Sequence, residues 1–203
     1  MSKVKICGLR RKEDIAYVNA YHPDYAGFIL SKPFRRYVST EALFEMKNDL
    51  DPDIMAAGVF VDETAEYIMH YLEHGLIDIV QLHGSEPDDL ILTLKKEYPE
   101  VPVIRSFEVR SAEILDAANR CPADIMLLDS GKGSGRTFAW ELLAHMKRPY
   151  ILAGGLNPEN VEEAVRTLRP YGVDTSSGVE TDGIKDETKI RDFIEKVRSI
   201  QEE

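Results

Sequence analysis

The chain has 203 residues, 43% hydrophobic and 30% charged, with a formal net charge of −11. That acidity argues against nucleic-acid or anionic-membrane partners, which are held by basic patches, and no apolar run approaches the roughly 20 residues that span a bilayer. The size suits one domain with one core. The opening "MSKVKICG" has no signal-peptide hydrophobic stretch, so a cytoplasmic location is expected.

Short β-branched runs alternate with stretches of helical period along the chain. "VKICGL" (4–9) predicts a first strand, followed by the helix pattern "RKEDIAYVNAY". "YAGFIL" (25–30) precedes "TEALFEMKNDL", and "MAAGVFV" (55–61) precedes "TAEYIMHYLEHG", where Thr64 is a helix start signal. "IDIVQLH" (77–83) leads to "EPDDLILTLKKEY", and "VPVIRSF" (101–107) to "SAEILDAANR". "DIMLLD" (124–129) leads to "TFAWELLAHM", and "YILAGG" (150–155) to "NPENVEEAVRTL", with Asn157-Pro158 as a start signal. "YGVDTSS" (171–177) is followed by "DETKIRDFIEKVRSI", whose apolar stripe is Ile190, Phe193, Ile194 and Val197.

Eight strands, each followed by a helix, predict a (β/α)₈ barrel as a single domain over residues 1–203. The competing open doubly wound sheet carries spaced glycines after its first strand, and "CGLRRKED" lacks them. The longest irregular stretches, "SKPFRRYVS", "SGKGSGR" and "GVETDGIKD", all follow strands, on the face where barrel enzymes build their sites.

Period-two alternation puts Lys5 and Cys7 on one inward face of the first strand, and Ile125, Leu127 and Asp129 on one face of the sixth. Cys7 and Asp129 then converge on one cavity. A lone cysteine is more often a small buried hydrophobe. Beside an inward ammonium at a strand's mouth end, it is a candidate thiolate. Asp129 stands behind four apolar residues, where desolvation raises a carboxyl pKa. The pair suits proton transfer at neutral pH. Cys121 precedes the sixth strand, at the opposite rim, too far for a disulfide with Cys7. Neither cysteine sits in a zinc-like CxxC pair, so no metal is expected.

Glycines 154 and 155, before Asn157-Pro158 at a helix start, offer backbone N–H groups to an anion. Ser176, Ser177 and Gly178 add donors from the eighth loop. Together these loops are the customary phosphate cradle of this fold. Arg35 and Arg36 read either as a solvated surface pair or as a fork for a carboxylate. "SGKGSGRT" misses the nucleotide P-loop, since Ser130 and Arg136 replace its first glycine and its lysine; it reads as a glycine-hinged lid. His83 ends the fourth strand facing the mouth, as a substrate contact or a satisfied polar residue.

With "KICGL", "RYVS", "GVFV", "VQLHG", "LLDS…GSGRTFAW", "GGLNPENV" and "VDTSSGVE" in order, the chain resembles the phosphoribosylanthranilate isomerase family of tryptophan biosynthesis over nearly its whole length. The resemblance implies an Amadori rearrangement with Cys7 as general base and Asp129 as general acid. Arg36, chosen over Arg35 for its adjacency to Tyr37, would hold the anthranilate carboxylate, and the two glycine-containing loops would hold the ribose phosphate. It implies a small phosphorylated substrate, no cofactor, and a monomer or homodimer. Two positions depart from the family: Lys132, where glycine is frequent, and Ala139, where aspartate is common before the tryptophan. Rival readings are the aminoaldose isomerase of histidine synthesis, which uses aspartate where Cys7 stands, an aldolase with Lys5 as Schiff base, and a non-catalytic sugar-phosphate binder.

Overall fold

Eight apolar runs become eight parallel strands in the computed structural model, which describes residues 2–129, 142–143 and 146–200. The strands are β1 (Lys3–Cys7), β2 (Tyr25–Ile29), β3 (Met55–Phe60), β4 (Ile79–Leu82), β5 (Val103–Glu108), β6 (Ile125–Asp129), β7 (Tyr150–Ala153) and β8 (Gly172–Thr175). They pair in sequence order, and β1 closes on β8 through Lys3↔Gly172 to Ile6↔Thr175. The predicted barrel is the observed one. Each strand is one to three residues shorter than its apolar run.

Helices α1 (Lys12–Tyr21), α2 (Thr40–Asp49), α3 (Ala65–Glu73), α4 (Asp88–Glu97), α5 (Ala112–Arg120), α6 (Val161–Leu168) and α7 (Glu187–Ser199) surround the barrel. Thr64 caps α3 as expected, its hydroxyl accepting from the Tyr67 N–H. The stripe on α7 is buried as predicted. The pattern "TFAWELLAHM" falls almost wholly outside the described residues, as does the expected lid "SGKGSGR" with Lys132 and Ala139.

Alternation splits the core into two layers. Ile125 and Leu127 point inward, beside Tyr25, Ala57, Ile79, Ile104 and Ile151. Met126 and Leu128 point outward and join the larger shell between strands and helices. On β1 the same rule sends Val4 and Ile6 outward, leaving Lys5 and Cys7 inside.

The N-terminal face is tied by a recurring device. Asp24, Asp78 and Asp124, just ahead of β2, β4 and β6, accept the backbone N–H of Val4, Ala56 and Val103 on the preceding strands. Each also meets a lysine: Lys3, Lys47 and Lys95 respectively. These carboxylates satisfy strand ends on the face away from the mouth, where barrel stability is usually set.

Candidate active site

At the C-terminal mouth lies a cavity of about 290 Å³ lined by residues of β3 and β4 and the loops after them, and by five neighbouring stations of the rim. In spatial order these are Arg36 after β2, Cys7 on β1, Ser176 to Gly178 after β8, Gly154 and Gly155 after β7, and Asp129 on β6. His83 also lines it, from the end of β4. A wider hollow toward β4–β6 shares His83 and Asp129.

Cys7 is 7% exposed and not disulfide-bonded. Gly27 on the neighbouring strand makes room for it: a Cβ there would lie 2.9 Å from Cys7 Sγ and 3.0 Å from Lys5 Nζ. Lys5 is fully buried, and its ammonium donates to Asp174 Oδ1 at 2.8 Å. Burial opposes its charge, but Asp174 and Cys7 outweigh burial and hold its pKa above the usual lysine value. A Schiff-base lysine needs a neutral amine. This environment favours the ammonium, which counts against the aldolase reading.

Two more cations act on Cys7 electrostatically, Arg36 and Lys185. Arg36 reaches the site over Gly8, whose φ of +78° suits glycine and whose added Cβ would fall 2.5 Å from Arg36 Cδ. The acidic chain thus builds the local positive potential that an anionic ligand requires. Of the two arginines, Arg36 lines the cavity with 19% of its side chain exposed, while Arg35 is 58% exposed. The arginine chosen for its adjacency to Tyr37 is the one that lines the cavity.

Asp129 is half-buried, so its strand-end carboxyl keeps more solvent contact than four preceding apolar residues implied. His83 is held below the ordinary histidine pKa chiefly by burial, with Asp174 opposing. Its Nδ1 lies 3.0 Å from Gln81 Nε2, and Gln81 Nε2 also donates to Ser106 Oγ at 3.3 Å.

The loops after β7 and β8 bring Gly154, Gly155 and Ser176 to Gly178 to the cavity, with one correction to the expected local structure. Gly154 and Gly155 have φ of +96° and +68°, the left-handed region that glycine enters without strain. Ser176 Oγ is buried without a hydrogen-bond partner among the described residues. The correction concerns Asn157-Pro158. Asn157 Oδ1 accepts from the N–H of Glu159 and Asn160, forming a turn, and the helix begins only at Val161. No residue from 157 to 161 lines the cavity, so the donors facing it are loop groups and not this helix start.

Residues that sequence reasoning missed complete the site. Asp174 lies on the inward face of β8, two positions before Ser176. Glu180 and Lys185 belong to a small hairpin, β9 (Glu180–Thr181) with β10 (Ile184–Lys185), after a 3₁₀ turn at Ser177–Val179. Glu180 accepts from Arg36 Nε at 2.7 Å and Arg36 Nη2 at 2.9 Å. Lys185 donates to Glu180 Oε1 at 3.0 Å and to the Ser176 carbonyl at 2.7 Å. Asp174 could have been found by alternation. Glu180 could not, because its partner Arg36 is 144 positions away. Among the described residues no cluster of histidine, cysteine and carboxylate side chains could hold a metal ion, and no helix is long and apolar enough to cross a membrane.

A (β/α)₈ barrel whose C-terminal mouth joins a cysteine, an aspartate and two glycine-bearing loops has the layout of a barrel enzyme, with loops placed where this fold commonly takes an anion. Residues 4–196 match the family model described as N-(5'phosphoribosyl)anthranilate (PRA) isomerase. The chain is 44% identical to the N-(5'-phosphoribosyl)anthranilate isomerase of Acetivibrio thermocellus, over 98% of this chain and 96% of that one. It superposes on the crystal structure of the Thermotoga maritima phosphoribosyl anthranilate isomerase with a TM-score of 0.89 at 35% identity, covering 98% and 100% of the two chains. A crystal structure of phosphoribosyl anthranilate isomerase in complex with reduced 1-(o-carboxyphenylamino)-1-deoxyribulose 5-phosphate gives 0.86 at 34% identity, again over 98% and 100%. The chain belongs to the PRA isomerase family.

Proposed function

We propose that Cys7 and Asp129 are the base and acid of the family's reaction in this chain, the conversion of N-(5'-phosphoribosyl)anthranilate to 1-(2-carboxyphenylamino)-1-deoxyribulose 5-phosphate in tryptophan biosynthesis. The observation that carries the reading is the order of groups around the rim. Cys7 and Asp129 flank the β7 and β8 loops, with Arg36 beyond Cys7. A substrate with a phosphate at one end and an aromatic carboxylate at the other has a partner for each end, with Cys7 between those partners and Asp129 on the far side of the phosphate-receiving loops.

The ribose phosphate takes the loop donors of Gly154, Gly155 and Ser176 to Gly178. The anthranilate ring lies against Ile29, Phe34, Val59 and Val61, which form the apolar wall on the β2–β3 side, and its carboxylate meets Arg36. Asp129 gives its proton to the furanose ring oxygen. The bond from that oxygen to C1 then breaks, and the amine lone pair forms the Schiff base. Cys7, as the thiolate, removes the C2 proton, and that electron pair neutralises the iminium nitrogen to give an enolamine. Tautomerisation delivers the ketone. An ammonium at Lys5 stabilises negative charge on the sulfur before the proton is taken.

Freshly prepared phosphoribosylanthranilate is fluorescent, and adding the protein should quench it rapidly. Cys7→Ser and Asp129→Asn should each slow that loss by roughly a hundredfold or more. Unchanged rates in both variants would refute the acid–base assignment, and no quenching by the parent protein would refute the substrate.

A further inference from the structure

The carboxylate of Glu180 lies behind the site, its side chain 6% exposed, and holds three cations: Arg36, Arg35 and Lys185. It grips the Arg36 guanidinium along one edge, with Nε to Oε1 and Nη2 to Oε2 at 2.7 and 2.9 Å. A guanidinium has five N–H groups in a fixed fork. Two are used here, and the Nη1 pair makes no hydrogen bond among the described residues. The adjoining Nη1–Nη2 edge, one N–H from each nitrogen, is therefore left for a second carboxylate.

From these contacts we infer that Glu180 is a positioning residue for substrate recognition: it fixes the plane of the Arg36 guanidinium so that its open edge is preset for the aromatic carboxylate. This rests on the reading of Arg36 given above. Lys185 extends the device. Its ammonium bridges Glu180 and the Ser176 carbonyl, which ties the carboxylate end of the site to a phosphate loop. With three cations to one carboxylate, the cluster still attracts an anion. An unanchored arginine would have to give up its rotamer freedom on binding, and Glu180 meets that cost during folding. The hairpin β9–β10 holds Glu180 and Lys185 in register, pairing Lys185 with Glu180 directly.

The test uses two inhibitors: the reduced product analogue and its counterpart without the ring carboxylate. Inhibition constants and steady-state kinetics are measured for the parent protein, Glu180→Gln, Arg36→Met and the double variant. Glu180→Gln should raise KM and weaken the carboxylate-bearing inhibitor about tenfold or more, leaving kcat within about threefold and the carboxylate-free inhibitor nearly unchanged. In the Arg36→Met background Glu180→Gln should add nothing. Equal weakening of both inhibitors by Glu180→Gln, or no weakening of either, would overturn the positioning role. If Arg36→Met failed to discriminate between the inhibitors, the carboxylate reading of Arg36 itself would fall, and the proposal with it. Glu180→Asp, which keeps the charge but shortens the reach, gives the same comparison if the glutamine variant does not fold.

Discussion

Lys5 Nζ stands 2.8 Å from Asp174 Oδ1 inside the barrel, with Cys7 two residues along the same inward face of β1. Neither charge could be buried there alone. The pair makes a fixed ammonium available beside the sulfur. Lys5→Met should therefore slow alkylation of Cys7 by iodoacetamide at neutral pH by about tenfold. Asp174→Asn, which strands a buried ammonium, should cost about 3 kcal/mol in chemical denaturation. A Lys5→Met variant alkylated at the parent rate would show that the ammonium does not act on the thiol.

Gly27 and Gly178 separate chemistry from binding. A methyl at Gly27 would press on Cys7 Sγ and Lys5 Nζ, both about 3 Å from its ideal position. Gly27→Ala should lower kcat by about tenfold or more, because small displacements of a reacting group are costly, with KM changing little.

At Gly178 a Cβ would fall 1.8 Å from the Leu156 carbonyl oxygen, so the β7 and β8 loops would be forced apart. Gly178→Ala should raise KM and weaken competitive inhibition by inorganic phosphate. Its stability should fall by about 1–3 kcal/mol. A variant with normal phosphate inhibition would dissociate Gly178 from the cradle.

His83 is lowered from its ordinary pKa of about 6.5, mainly by burial. Its imidazole should remain neutral at pH 7, and its NMR titration midpoint should lie below 6.5. The unfolded chain takes up this proton first as pH falls. Stability therefore declines from about pH 6.5 down to the folded midpoint. His83→Gln should remove that part of the decline.

Glu180, among several carboxylates held below their ordinary pKa, contributes to the acid limb. Burial alone would raise its pKa, but Arg36 and Lys185 prevail and bring it down to about 2. The unfolded value is about 4.3. Stability from this group is complete above the unfolded value and is lost as pH falls through about 2. Denaturation across pH 5 to 2 should show a shallower slope in Glu180→Gln than in the parent. An equal slope would contradict the depressed pKa.

The eight apolar runs and the helical periods between them determined the barrel, since each element's burial pattern is local and fixes which side must face the core. Alternation along β1 and β6 likewise determined that Lys5, Cys7 and Asp129 point inward. The glycines of the β7 and β8 loops were legible because loop position in a barrel is set by chain order. What only tertiary structure decided involves partners distant in sequence. It drew Arg36 over Gly8 and onto Glu180. It moved the helix start from Asn157 to Val161, because Asn157 spends its side chain on a local turn. It also joined Glu180 and Lys185 to a cavity lined from the far side by Asp129. Local sequence carries periodicity and turn chemistry. Ion pairs across 144 positions depend on barrel closure, which brings the second and eighth loops to the same rim.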